Sequence, residues 1–480
     1  MNKKSFYLAI IPFILLGCNK TDSGSNSSND EKCIIKEDVE ITFLCMADSN
    51  YLDSLTSIVD EFMKTEPHVK VALTNPLGAG KYLMLERSVI AGFFNGTYPD
   101  LVQCYPDSVV KYMERGYALK MDDYLNNKEY GIYEDGQSDY LESYLEEGSN
   151  YRSAEGTYSL PFCKSTELMY YNKTALIGLK LDGINNNNPL DEDYINNLTW
   201  EELFQNLCPA ISAKNESLPN NEKLIVPSSH SAIFTYDSDE NMFITLAKQY
   251  GYGYTSIDEN GNPSIDFDNQ EMKNMMKELR AAKDNGYLHT YGSYGYYVSP
   301  LFQNRNSLFT VSSTAGLTYN LPEHDEFEVG VARIPHAEGK DYLAINQGPS
   351  VCVLDHKDNN RALASYLLWR FLTNESNSID WALSTGYMAI RNSSYQSDKY
   401  KDALIISEDD SFKDKAKARN LQKIADVKSH TFNTDVFKGS SNARQNVGVL
   451  LTNCLTTTEN LNEVIDEMFL ESSNEAKTHL

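Results

Sequence analysis

The residues whose types and spacing come nearest to a known chemical motif do not form a catalytic site. Residues 78–82, Gly-Ala-Gly-Lys-Tyr, resemble a phosphate-binding loop, but the first glycine of that motif is missing and Tyr82 replaces the hydroxyl residue that would hold magnesium. The chain also lacks H-E-x-x-H, G-x-S-x-G and, after a strand, G-x-G-x-x-G. We therefore predict no nucleotide site and no catalytic site.

Carboxylates and thiols are numerous but are not arranged as catalytic or metal sites. Pairs such as Glu146 and Glu147 are expected by chance among 68 acidic residues, so they are weak support for glycosidase chemistry, which needs two carboxyls across a cleft. The eight cysteines include no C-x-x-C pair and no histidine at metal-ligand spacing. We expect no metal, no cofactor and mostly free, buried thiols, although an extracytoplasmic setting also permits one or two disulfides.

The N-terminus carries an export signal. Lys3 and Lys4 precede an apolar run over residues 8–16, and Gly17 stands directly before Cys18. The segment resembles a bacterial lipoprotein signal, which implies cleavage after residue 17 and acylation of the Cys18 sulfur; an ordinary short signal peptide is the alternative. Residues 18–37 are interpreted as a flexible linker, so the protein is expected to be lipid-anchored on the extracytoplasmic face of a membrane.

The charge of the chain excludes one class of partner. The formal charge is -26, and removal of the two signal lysines makes it about -28. Such a chain lacks the excess of Lys and Arg that neutralises phosphates, which argues against nucleic-acid binding.

The body of the chain alternates between strand and helix patterns. Strands are predicted over 39–46, 69–73 and 100–103, and helices over 52–63 and 81–94. This order predicts right-handed crossovers and a largely parallel sheet covered by helices. Further helices are predicted over 269–285 and 361–373, and the last third is expected to be mainly helical.

Four segments in order resemble the bacterial extracellular solute-binding proteins that serve ABC importers. They are residues 98–125 with Y-P-D-L-V near the start, 156–173 with G-T-Y-S-L-P-F, 302–316, and 381–391 with T-G-Y-M-A-I-R. The similarity spans nearly the whole mature chain. Ala389 stands where the family usually has proline, which bears on loop rigidity.

The resemblance implies an α/β fold of two lobes, each a mainly parallel sheet flanked by helices, with a hinge between them. The first lobe would comprise residues 38–160 and 346–386, and the second 161–345 and 387–480. A sugar or polyol phosphate would bind in the interlobe cleft, and the lobes would close on it. The protein would be a monomer without enzymatic activity that delivers its ligand to the transmembrane subunits of an importer.

The branch of the family that binds glycerol-3-phosphate is the most similar, and it implies a set of ligand contacts. These are Tyr82, Ser165 with Thr166, a hydroxyl of residues 312–314 (Ser313 or Thr314), Gly348, Tyr387 and Arg444. An acidic contact of that branch falls at Pro106, so Asp107 and Tyr105 are expected to take its place; alternatively, Asp107 caps its own helix.

The 32 tyrosines outnumber three tryptophans, so sugar stacking is expected to fall to tyrosine. Tyr236 and a rim formed by Tyr287, Tyr291, Tyr294, Tyr296 and Tyr297 are candidates, with ordinary packing as the alternative for the rim. A neutral sugar and glycerol-3-phosphate both remain open as ligands. A surface glycosidase and an adhesin are the alternatives from other functional classes.

Overall fold

The computed structural model describes residues 33–46, 49–75, 82–134, 136–151 and 154–480. The predicted signal, Cys18 and most of the predicted linker lie outside these residues. Within them, the strands are β1 (Val39–Leu44), β2 (Val69–Thr74), β3 (Leu101–Cys104), β4 (Leu160–Pro161), β5 (Glu167–Asn172), β6 (Phe234–Tyr236), β7 (Thr255–Ile257), β8 (Pro263–Ile265), β9 (Leu288–Thr290), β10 (Phe309–Ser313), β11 (Val329–Ala332), β12 (Ala344–Ile345), β13 (Ser350–Val353) and β14 (Thr431–Phe432).

The helices of the described chain surround these strands. They are α1 (Ser49–Thr65), α2 (Tyr82–Asn95), α3 (Pro106–Glu114), α4 (Asp122–Leu125), α5 (Glu142–Glu147), α6 (Lys173–Leu176), α7 (Glu192–Asn196), α8 (Cys208–Ser217), α9 (Asp239–Tyr250), α10 (Gln270–Asp284), α11 (Tyr291–Tyr294), α12 (Ser299–Gln303), α13 (Leu317–Asn320), α14 (Asn359–Leu372), α15 (Glu375–Thr385), α16 (Asn392–Gln396), α17 (Asp398–Ala403), α18 (Phe412–Val427), α19 (Ser440–Thr456) and α20 (Leu461–Lys477). No helix of the described ranges is long and apolar enough to cross a membrane.

Two five-stranded sheets form the centres of two lobes. The first sheet has the order β2-β1-β3-β13-β4, and the second has the order β11-β5-β10-β6-β9. In the first sheet β1 is parallel to β2 and β3, while β13 runs antiparallel to β3 and β4. In the second sheet β10, β6 and β9 are parallel, and β5 is antiparallel to its two neighbours. Antiparallel pairs enter each sheet because β4, β5 and β13 flank the segments where the chain crosses between sheets.

The crossing segments contact one another between the two sheets. Residues 162–166 lead from β4 to β5, and residues 346–349 lead from β12 to β13. Ser165 and Gln347 exchange backbone hydrogen bonds of 2.8 and 2.9 Å. Lys164, on the first segment, is fully buried and pairs with Glu147, and its ammonium also donates to the carbonyl of Gly348 at 3.2 Å. These contacts hold the two segments in one fixed arrangement.

The helices begin and end at residues suited to those positions. Asp358 precedes α14 and accepts hydrogen bonds from the backbone of Asn360 and Arg361. Ser238 does the same for α9, and Gly251 ends that helix in the left-handed conformation. The helices then bury their apolar residues against the sheets; Trp369 of α14, for example, is fully buried and donates to the carbonyl of Pro161.

All seven cysteines of the described chain are buried, and five of them, Cys104, Cys163, Cys208, Cys352 and Cys454, are free thiols. This agrees with the expectation from their apolar sequence neighbours. Burial raises the pKa of the Cys104 and Cys163 thiols well above the usual value, which keeps them protonated.

Candidate functional site

A cleft of about 690 Å³ lies where the two sheets face each other. The first lobe contributes the start of α2 and the end of β3. The second lobe contributes the start of β5, the ends of β6 and β10, the first turn of α9, and one face of α19. Ligand sites of open α/β sheets lie at the carboxyl ends of parallel strands, and β6 and β10 point their carboxyl ends into this cleft.

Two tyrosines of the first lobe form an aromatic wall. The rings of Tyr82 and Tyr105 meet edge to face, with centroids 4.9 Å apart and an interplanar angle of 89°. Burial raises the pKa of Tyr105 to about 12 and that of Tyr82 well above its usual value, so both hydroxyls are neutral donors near neutral pH. Tyr387 also raises the pKa of Tyr82, and its ring stacks on Trp381. The predicted contact Tyr387 is not among the residues that line the cleft.

A hydrogen-bonded network forms the polar floor of the cleft. The amide of Asn241 donates to Glu167 Oε1 at 3.0 Å and to Gln347 Oε1 at 2.8 Å, and its oxygen accepts from Arg444 Nη1 at 2.7 Å. Tyr236 donates its hydroxyl to Glu167. Four segments distant in the sequence are thereby held together around one amide.

Glu167 and Asp237 are acids whose ionisation is disfavoured. Glu167 is 2% exposed, and burial raises its pKa to about 7 against the hydrogen bonds from Tyr236 and Asn241. Burial likewise raises the pKa of Asp237 to about 7. Asp237 accepts from the backbone of Val298 at 3.3 Å and from Ser312 Oγ at 3.5 Å, and its two oxygens have capacity for further hydrogen bonds. Near neutral pH each carboxyl can act as either donor or acceptor.

The Asp239 carboxylate instead has a structural role. Its carboxylate accepts from the hydroxyls of Thr290 and Thr452 at 2.7 and 3.1 Å and from the backbone of Gly292 at 2.7 Å. Burial raises its pKa. These three bonds join α9, α11 and α19, and so fix one wall of the cleft.

The structure brings some of the predicted ligand contacts to the cleft. The cleft is lined by the predicted residues Tyr82, Tyr105, Ser313 and Arg444, and by Tyr291 and Tyr297 of the predicted rim. The rings of Tyr291 and Tyr297 have centroids 5.4 Å apart.

Other predicted contacts lie one layer behind the surface of the cleft. The buried residues Ser165 and Thr166 are on the first crossing segment, where Thr166 donates to the carbonyl of Ile345 at 2.8 Å. Tyr236 is buried and reaches the cleft only through Glu167. Gly348 is on the second crossing segment with φ of +92°.

The remaining predicted residues have separate positions. Thr314 is buried, and its hydroxyl has no hydrogen-bond partner among the described residues. Asp107 lies at the start of α3 but does not cap it; its carboxylate accepts from Ser440 Oγ of α19 at 2.6 Å. Tyr287 borders a different, smaller cavity of about 270 Å³ beside Trp200.

Sequence reasoning missed most of the polar floor. Glu167, Asp237, Asn241 and Gln347 were not among the predicted contacts. Asp237 follows a buried strand directly and precedes a helix, which is a usable signal for a ligand-facing position. Glu167, Asn241 and Gln347 meet only through the crossing of the chain between sheets, and no local pattern marks that meeting.

A family model described as "Bacterial extracellular solute-binding protein" matches residues 57–407. The chain belongs to the bacterial extracellular solute-binding proteins. This confirms the resemblance found in the sequence and the assignment as a binding protein without enzymatic activity. It also places the function of the chain outside the cytoplasm.

Relatives of this solute-binding protein carry names that indicate their ligands. The sn-glycerol-3-phosphate-binding periplasmic protein UgpB of Pectobacterium atrosepticum is 24% identical over 356 residues, which is 71% of each chain. UgpB of Escherichia coli is 25% identical over 351 residues, covering 71% of each chain.

Solved structures confirm the fold. UgpB from Mycobacterium tuberculosis in complex with glycerophosphocholine covers 92% of this chain and 98% of its own, with a TM-score of 0.68 and 17% identity. Maltose-bound MalE3 of T. maritima covers 92% of this chain and 100% of its own, with a TM-score of 0.68 and 16% identity.

Proposed function

We propose that the protein captures a neutral carbohydrate in the cleft and delivers it to an ABC importer. The observation that carries this proposal is the charge of the cleft. Four of the described residues that line it are acidic, Glu167, Asp237, Asp239 and Glu240, and Arg444 is the one cation. Even with Glu167 and Asp237 partly protonated near neutral pH, the ionised carboxylates outnumber the single guanidinium and disfavour a phosphate. Carboxyl groups, amides and tyrosine faces instead suit the hydroxyls and C–H surfaces of a sugar.

Arg444 is also occupied by protein groups. Besides Asn241, it contacts Thr434 Oγ1 at 3.3 Å, and its Nε lies 3.7 Å from Asp107 Oδ2. A phosphate ligand would have to compete with these partners. Glycerol-3-phosphate, the ligand named for the UgpB relatives, is therefore the weaker candidate.

A glycerophosphodiester with a cationic head group is the second candidate. Burial, and after it the nearby Asp237 carboxylate, raises the pKa of the Tyr297 hydroxyl, and Tyr291 lies beside Tyr297. A carboxylate beside two aromatic rings suits an organic cation. Arg444 would then hold the phosphate, which matches the glycerophosphocholine complex of the UgpB structure from Mycobacterium tuberculosis.

Thermal unfolding of residues 19–480 with a ligand panel tests the proposal. The panel contains mono- and oligosaccharides, glycerol-3-phosphate and glycerophosphocholine. A ligand at about 100 times its Kd stabilises the protein by about 2.7 kcal/mol. Stabilisation by a neutral sugar supports the proposal; stabilisation by glycerol-3-phosphate alone contradicts it, and stabilisation by glycerophosphocholine alone selects the second candidate.

Arg444→Gln separates the candidates further. We expect this variant to bind a neutral sugar with little change in affinity. Binding of a phosphodiester should weaken by about 1.5 to 3 kcal/mol, the contribution of a hydrogen bond to a charged group. Arg115→Gln is the matched control, because the Arg115 side chain is exposed and binds only the Lys111 carbonyl at 2.7 Å.

We further propose that the protein is a monomer anchored to a membrane through acylated Cys18, with its lobes divided near residues 160, 345 and 386. The small residue before Cys18 supports the anchor. Cys18→Ser should move the protein from the membrane fraction to the extracytoplasmic soluble fraction. Retention of the serine variant in the membrane fraction would contradict lipid anchoring.

A further inference from the structure

Asp107 and Arg444 form a contact between the two lobes beside the cleft, which Arg444 lines. Asp107 stands three residues after β3 of the first sheet, whereas Arg444 is on α19, which packs against α9 and α20 of the second lobe. Asp107 Oδ1 accepts from Ser440 Oγ at 2.6 Å, and Asp107 Oδ2 lies 3.7 Å from Arg444 Nε. The carboxylate therefore faces the side of the guanidinium that the second lobe leaves open.

The other bonds of Arg444 fix the direction of its guanidinium. Nη1 donates to Asn241 Oδ1 at 2.7 Å and Nη2 to Thr434 Oγ1 at 3.3 Å. With these two nitrogens engaged, Nε is left to face Asp107. The pair is only partly buried, with 24% of the Arg444 side chain and 12% of the Asp107 side chain exposed, and Arg444 lines the cleft, so a ligand there can reach the guanidinium.

Burial acts against the charge of Arg444, but Asp107, followed by Tyr254, Glu240 and Tyr105, together outweigh it and raise the pKa of the guanidinium. The arginine is thus always charged, and its attraction for an anion is opposed by a fixed negative charge contributed by the other lobe. Two charges at this separation interact strongly in a partly buried site.

We propose that Asp107 determines the charge selectivity of the cleft: it occupies Arg444 across the lobe interface, and so keeps the site selective for uncharged ligands over phosphorylated ones. This inference rests on the proposed neutral ligand and names the residue that enforces it. Ser440 has the supporting role of orienting the Asp107 carboxylate through one hydrogen bond.

The test compares ligand affinities of the wild type, Asp107→Asn and Asp107→Ser by isothermal titration calorimetry. The ligands are glycerol-3-phosphate and the sugar that stabilises the wild type most. We expect both variants to bind glycerol-3-phosphate at least tenfold more tightly than the wild type. Because loss of an interlobe contact also loosens closure for any ligand, the sugar affinity should stay equal or fall. The ratio of the two affinities is therefore the decisive quantity.

Controls distinguish selectivity from general structural effects. Asp123→Asn removes the same charge from an exposed position of the first lobe and should leave both affinities unchanged. Adding Arg444→Gln to Asp107→Asn should abolish the gained affinity. Two variants at position 107 are used so that a folding defect in one of them does not prevent the test. Thermal unfolding shows which variant, if either, has such a defect.

The proposal is overturned if a folded Asp107 variant binds glycerol-3-phosphate no more tightly than the wild type. It is also overturned if the gain survives loss of Arg444. Failure of the neutral-sugar proposal would appear separately, as absence of sugar binding by the wild type, and the glycerol-3-phosphate affinities of the variants would still decide the role of Asp107.

Discussion

Tyr82 is the aromatic residue of the cleft with the clearest expected contribution to binding. Its half-buried ring rests edge to face on Tyr105, so the phenol is held in place before ligand arrives. Tyr82→Ala should weaken binding of the ligand that stabilises the protein by about 1 to 2 kcal/mol, because apolar contact is lost. Tyr82→Phe should reduce the binding free energy less, because the ring remains. Calorimetric titration measures both. Tyr296→Ala is the control, since that ring is 75% exposed and does not line the cleft; an equal loss there would contradict the assignment.

Glu167 should make stability depend on pH in the direction opposite to a salt-bridged acid. Its pKa is about 7 in the folded protein against 4.5 as a free group, so the folded state binds the additional proton between these values. Stability therefore falls as pH rises from about 5 to about 7, by at most about 3 kcal/mol. Glu167→Gln, which resembles the protonated form, should flatten that part of the profile.

Urea unfolding at pH 5, 6, 7 and 8 measures the profile. Asp237 contributes in the same direction, because its pKa is also raised to about 7. The Glu167→Gln variant should therefore retain part of the decrease in stability with rising pH, and the double variant Glu167→Gln with Asp237→Asn should retain less of it. A wild type whose stability rises steadily from pH 5 to pH 7 would contradict the burial argument.

Residue types alone revealed only half of the site. Tyr82, Tyr105 and Arg444 were predicted because they lie in or beside segments that resemble the family, and they do line the cleft. Glu167 was not predicted, because one carboxylate among 68 acids carries no signal until burial raises its pKa; Asp237 was missed although its place directly after a buried strand was a usable signal. Burial is a property of the packed chain, and so the sequence pattern could not supply it.

The crossing segments are the elements on which a small backbone change should have the largest effect. Gly348 has φ of +92°, and a Cβ there would lie 2.0 Å from the carbonyl oxygen of Cys163 on the other crossing segment. Gly348→Ala should therefore destabilise the protein by more than the roughly 1 to 3 kcal/mol of a strained backbone alone, since the segments must also separate.

Gly251→Ala is the matched control for this element. Gly251 has φ of +75°, but a Cβ there meets nothing within 4 Å. Its substitution should cost only about 1 to 2 kcal/mol, for the left-handed conformation. Denaturant unfolding of the two variants measures the difference, and equal destabilisation would show that the crossing segments yield to the added methyl group.

Several of the regular elements were predicted to within a few residues. Strands expected over 69–73 and 100–103 are observed as Val69–Thr74 and Leu101–Cys104, and the helix expected over 269–285 is observed as Gln270–Asp284. Their hydrophobic periodicity is local and strong. The short strands β4, β12 and β14 were not predicted, because two residues show no period and pair only after the chain crosses between sheets.

At the scale of the whole molecule, residues of the cleft connect ligand binding to the relative position of the lobes. Gln347 receives a hydrogen bond from Asn241 and belongs to a crossing segment, so the polar floor and the hinge share a residue. Asp107 and Ser440 form a second connection between the lobes, through a hydrogen bond of 2.6 Å. A ligand that contacts Tyr82 on one lobe and Asn241 on the other stabilises only arrangements in which both reach it.

Ligand binding should therefore make the protein more compact as well as more stable. Small-angle X-ray scattering of residues 19–480 should show a smaller radius of gyration at about 100 times the Kd than without ligand, alongside the increase of about 2.7 kcal/mol in the free energy of unfolding. Tyr82→Ala at the same ligand concentration should show less compaction, because one lobe has lost its contact. Stabilisation without compaction would mean that the unliganded lobes already have the closed arrangement, and that Asp107, Ser440 and Arg444 hold them there without help from ligand.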